Sequence, residues 1–105
     1  NKAGTQNLSV WGGYVMERDF DAHALAAIGG AGQAGWRITY QAVTPGWASY
    51  SGLRNGHVLY GRQIALCGGG SYAGFELTYP ERDIAAMSAV VDRLVASLRP
   101  MAGAC

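Results

Sequence analysis

The chain is short of charge. Only 14% of its 105 residues are Asp, Glu, Lys or Arg, against roughly 25% in an average soluble protein. The net charge is +1, and Lys2, Arg18, Arg37, Arg54, Arg62, Arg82, Arg93 and Arg99 are scattered. Nucleic acid and anionic membrane both want a basic stripe, so neither is expected as a partner. No apolar run reaches the roughly 18 residues that span a bilayer. The longest candidate, Ile84 to Leu98, is interrupted by Asp92 and Arg93, so no membrane insertion is expected. The chain starts at Asn1 and shows no signal peptide. It is expected to be either processed or an excerpt of a longer protein.

Cysteine is nearly absent too. Cys67 and Cys105 are the only two. They lack metal-ligand spacing with each other or with His23 and His57, so no metal site is expected. A Cys67 nucleophile with His57 as base fails on distance. The two bracket a strand, about 30 Å apart at the usual rise. His23 is not excluded as a base, but nothing in the sequence brings it near Cys67. A Cys67–Cys105 disulfide is the expectation for a short, secreted-looking chain. The terminal helix returns the tail towards the turn that follows Cys67, which makes the bond feasible. Such a bond persists outside a reducing cytosol, so a periplasmic or secreted location is expected.

What is present is one domain's worth of apolar sequence, half of all residues, over 1–105. Asn7 to Met16 reads as a strand. Asp19 and Asp21 signal a helix start, and Phe20, Ala24, Leu25 and Ile28 give it a face. Gly29-Gly30 is expected to end that helix, leaving a Gly-rich loop to Gly35. Trp36 to Ala42 alternates as a half-buried strand. Trp47 to Leu53 and Val58 to Leu66 flank Asn55-Gly56, the strongest short hairpin signal in the chain. This turn puts Arg54 opposite His57, Ser51 opposite Tyr60 and Tyr50 opposite Gly61. A turn at Gly68–Ser71 leads to a last strand, Tyr72 to Tyr79. Asp83 is a candidate cap for a helix whose stripe is Ile84, Met87, Val91, Leu94 and Leu98. The expected fold is α+β: a mainly antiparallel five-stranded sheet in the order β-α-β-β-β-β-α, with both helices on one face.

Several motifs resemble functional ones without their context. Gly30-Ala31-Gly32-Gln33-Ala34-Gly35 matches G-x-G-x-x-G, but a dinucleotide site needs a strand before it and a helix after it. Here the order is reversed, so no cofactor is expected. Gly68-Gly69-Gly70-Ser71 reads as a turn rather than an anion nest. Glu17, Arg18, Asp19 and Asp21 read as helix-start carboxylates, since Ca²⁺ wants about six to eight oxygens. No catalytic residue set is legible.

With a four-residue last turn, Tyr50, Gln63, Glu76 and Thr78 share the sheet face left open by the helices. They are the candidate binding face. The same register puts Arg62 on the helix side with Ile64 and Leu77. That requires a bulge, a slipped register or a buried ion pair.

Ser9-Val10-Trp11-Gly12, Ile38-Thr39-Tyr40, Trp47-Ala48-Ser49-Tyr50-Ser51-Gly52 with Asn55-Gly56, and Phe75-Glu76-Leu77-Thr78-Tyr79-Pro80 before a helix ending Ser97-Leu98-Arg99 follow one another along the chain. In this order they resemble the small bacterial PsbP-like domains, over nearly the whole chain. Such domains usually begin with a further hairpin, of which at most a part is present at Asn1 to Gln6. The resemblance implies a non-catalytic binding or accessory role. The expected function is therefore an exported binding domain acting on another protein, with an inhibitor or immunity-type protein as one form. The alternative is a small hydrolase with an unrecognised site. The partner's identity and the oligomeric state stay open.

Overall fold

Asn55 and Gly56 adopt positive φ, 50° and 78°, and close the hairpin that organises the sheet. The computed structural model describes residues 6–100. Along the chain lie β1 (Asn7–Tyr14), α1 (Phe20–Gln33), β2 (Arg37–Val43), β3 (Trp47–Arg54), β4 (His57–Leu66), β5 (Ser71–Pro80) and α2 (Ile84–Ser97). The five strands form one antiparallel sheet in the order β1-β5-β4-β3-β2. The fold class and the element order are those expected from the sequence. So is the hairpin register: Arg54 faces His57, Ser51 faces Tyr60 and Tyr50 faces Gly61. The last turn is a four-residue loop, but it is Cys67–Gly70 rather than Gly68–Ser71, with Leu66 paired to Ser71 around it.

The helices do not share a face. Ile28 and Ala31 of α1 pack on Tyr50 and Leu59, while Phe20 and Ala24 pack with Ala48. Met87 of α2 packs on Val58, Leu77 and Tyr79. Val58 and Leu59 are chain neighbours in a strand, so they point to opposite faces. α1 therefore covers one face and α2 the other. The cause is that β3 and β4 are apolar on both sides. Val58 is 7% exposed and Leu59 1%, and each row needs its own cover.

The first helix also runs further than expected. Gly29, Gly30 and Gly32 lie inside α1 rather than in a loop. Each costs about 0.5–1 kcal/mol against Ala, but burial of Ile28 and Ala31 outweighs that. The terminating glycine is Gly35, at φ 99°. There the Trp36 N–H reaches back to the Ala31 carbonyl at 3.1 Å, as in a left-handed C-terminal cap. A Cβ at Gly29, Gly30 or Gly32 would meet nothing within 4 Å. Replacing all three by Ala should stabilise the domain by roughly 2 kcal/mol in total. A lower urea midpoint for the triple variant would contradict this account.

At the second helix, Asp83 occupies the cap position but makes no side-chain cap bond. A single 3₁₀ turn, Glu81–Asp83, precedes it. Arg62 stands on the α2 side, as the register required, with no bulge or slip in its pairings and no ion pair among the described residues. Its guanidinium lies 4.7 Å from the Trp47 ring centre and donates to the Ser49 hydroxyl at 2.9 Å. Stacking on an aromatic face offsets part of the cost of desolvating a cation.

Candidate binding site

Tyr50, Gln63, Glu76 and Thr78 do share one face. It is the face that α1 packs against, and it is not open. Tyr50 is 1% exposed and Gln63 2%, while Glu76 and Thr78 are half-buried. Two glycines explain how such large side chains lie down. The Tyr50 ring crosses over Gly61, its cross-strand neighbour. Its hydroxyl then donates to the Glu76 carboxylate at 2.5 Å. The Gln63 side chain lies over Gly74 in the same way. Only Glu76 and Thr78 remain available to a partner, so the four do not form the binding face expected.

Burial, and then the neighbouring Glu76 carboxylate, hold the Tyr50 phenol far above its ordinary value. Its neutral form is thus favoured in the fold. Below pH 10 this contribution is complete. As the pH rises past 10 the unfolded chain loses the proton while the folded one keeps it, and stability falls. The domain should therefore lose stability on alkaline titration above pH about 10, and Tyr50→Phe should flatten that limb. Identical alkaline limbs in urea titrations of the two proteins would contradict the assignment.

At the start of α1, Asp19 caps the helix, accepting from the Ala22 N–H at 2.9 Å. That bond, with Arg18 beside it, lowers the Asp19 carboxyl. Glu17 bonds His23 at 2.8 Å, which lowers the Glu17 carboxyl. The His23 ring lies 4.0 Å from that of Tyr72. The acids therefore serve the helix start and a histidine contact. No group of three or more metal-ligating side chains forms among the described residues. Arg18, Asp19 and Asp21 also line the cleft beside Gly68, Gly69 and Gly70. His57 opens β4 and Cys67 follows its end, so those two are kept apart as expected. Cys105 lies outside the described residues, and with it the expected Cys67–Cys105 pairing.

One groove of the fold is not revealed by the sequence. α2 sits over β4 and β5 through Met87, Val90, Val91 and Leu94. This leaves β2 and the margin of β3 bare on the same face. The step between them is a groove of about 430 Å³. Its walls are apolar at Leu53, Val58, Tyr79, Ile84 and Val91. Thr39, Ser51, Tyr60 and Ser88 supply hydroxyls, and Asp92 is the one charged group in the lining. Ile84, at the rim, is 49% exposed. The Ser51–Tyr60 pairing was legible from the hairpin. The position of α2 across the strands was not, because helical periodicity gives a buried stripe but no lateral placement.

Fold and groove together define a small α+β domain with a two-faced antiparallel sheet, one helix on each side and an apolar slot beside the second helix. No helix among the described residues is long and apolar enough to cross a membrane. No family model matches the chain, and no curated protein matches it. Among solved structures it is similar to a Pseudomonas aeruginosa protein of unknown function, PA94, described as a putative regulator. The TM-score is 0.59 at 11% identity, covering 96% of this chain and 88% of that one. At that identity the likeness shows the fold alone.

Proposed function

We propose that this chain is a non-catalytic binding or accessory domain of an exported protein, periplasmic or secreted, related to the PsbP-like domains. Its partner is another protein, and an apolar side chain of that partner lodges in the groove beside α2. An inhibitor or immunity-type protein is one form such a domain takes. The observation that carries this reading is the groove itself. An apolar concavity of this size, with a few hydroxyls and one carboxylate at its margin, suits an anchoring side chain flanked by hydrogen-bond donors. The hydrolase alternative has less support, because the lining offers hydroxyls but no histidine or cysteine to activate them.

Ser88 is exposed on α2 and lines the groove. Ser88→Trp should fill it without touching the core. The wild-type protein, used as bait against the exported fraction of its source cells, should retain a partner that Ser88→Trp does not. Equal retention by both, or none by the wild type, would overturn the groove as the site. The Cys67–Cys105 disulfide belongs to the same proposal. Protein taken from its native compartment and denatured without reductant should show no titratable thiol, and two thiols would remove the export argument.

A further inference from the structure

The two edges of the sheet are unlike. β2 is a blunted edge: it opens on Arg37, and its pairing with β3 is broken by a bulge between Ile38 and Tyr40. A charge and a bulge are two of the devices by which proteins keep an edge strand from pairing further. β1 has neither. It pairs with β5 over eight consecutive residues without a break, and between Gln6 and Met16 it carries no charge and no proline. Its side chains on the α2 face are largely in water: Leu8 is 45% exposed, Val10 66% and Tyr14 79%. Leu8 and Val10 stand directly beside Leu77 and Phe75, which are 3% and 2% exposed. Among the described residues, the apolar row of the core thus runs out to the edge and stops there without a covering element.

We infer that β1 is the interface of a homodimer, in which the β1 strands of two copies pair antiparallel about a two-fold axis to make one continuous ten-stranded sheet. Charge and closure single out a second copy as the occupant. In an isologous contact residue i meets residue j and residue j meets residue i, so a charge near the axis would stand close to its own like. β1 has none over its whole length. Pairing β1 to β1 also leaves the two blunted β2 strands as the ends of the joined sheet. Pairing β1 to the β2 of another copy would meet Arg37 and the bulge, and would leave the next β1 open. The surface is separate from the α2 groove, which lies towards β2 and β3, so either site can fail without the other.

Sedimentation equilibrium of the purified protein tests this. A dimer of 11.0 kDa protomers is expected, with a dissociation constant below ~100 µM. Val10→Lys places two like charges across the two-fold and should weaken the dimer at least roughly 100-fold. Val10 is exposed, so the monomer should keep its circular dichroism spectrum. Ser9→Arg, on the opposite face of the same edge, should act likewise and decides the matter if Val10→Lys misfolds. Tyr40→Lys on the β2 edge should leave the dimer intact. A wild type that stays monomeric to ~100 µM would overturn the inference. So would a dimer that neither β1 charge dissociates, or one that Tyr40→Lys dissociates equally.

Discussion

Gly61→Ala should destabilise the domain by about 3 kcal/mol, the upper end of the usual cost of overpacking a core. Alanine is ordinarily the better strand residue, by about 0.5–1 kcal/mol, so the expected sign is the reverse of the propensity argument. The reason is the Tyr50 ring. A Cβ at position 61 would stand 2.2 Å from its Cζ and 2.6 Å from both Cε2 and Oη. The ring cannot swing aside. It is 1% exposed, packed with Ile28 and Ala31 above and tied to Glu76 at its tip. Tyr50→Leu removes the three clashing atoms and keeps most of the buried bulk. In that background Gly61→Ala should cost under about 1 kcal/mol, a coupling of roughly 2 kcal/mol between the two positions. Urea denaturation of the four proteins measures it. Additive costs would show that the ring does not depend on the missing Cβ.

That glycine slot was half legible. The Asn55-Gly56 turn placed Tyr50 opposite Gly61 from residue types alone, whereas a last turn read at Gly68–Ser71 placed Glu76 only on the same face; its pairing with Gly61 follows from the loop starting one residue earlier, at Cys67. What alternation could not say was which face the first helix would cover. The signal was present in Val58-Leu59, two adjacent apolar residues in one strand. Such a pair points to burial on both sides rather than to one open face. The glycines of α1 misled for another reason. Local propensity reads Gly29-Gly30 as a stop, while the next turn of the helix buries Ala31 and holds the chain helical. Arg62 was placed on its correct side, but a strand pattern carries no information on Trp47 across the sheet. The edge strand was legible as a strand. That it is an edge depends on strand order, which no local pattern contains.

Met87→Asp should unfold the domain at room temperature, and Ile84→Asp, in the same apolar stripe, should leave it nearly unchanged. Helical spacing treats the two residues alike, since they lie three apart on one face. The structure does not. Met87 is 5% exposed and packed on Val58, Leu77 and Tyr79. A carboxylate there loses the Met packing and buries a charge among side chains that offer it no cation. The packing alone is worth about 2–5 kcal/mol, and an unpaired buried charge adds several more. Together they match or exceed the roughly 5–15 kcal/mol that a domain has in total. Ile84 is the first residue of α2 and is half exposed at the mouth of the groove. A carboxylate in the first turn of a helix is favoured by the helix dipole. Repulsion from Asp83 and Glu81 nearby works against that, so the net change should stay within about 0.5 kcal/mol. Leu94→Asp falls between them, because Leu94 is only half-buried. Thermal melts followed by circular dichroism would rank the three. A near-native melt for Met87→Asp would mean that α2 does not rest on β4 and β5, and the groove beside it would lose its wall.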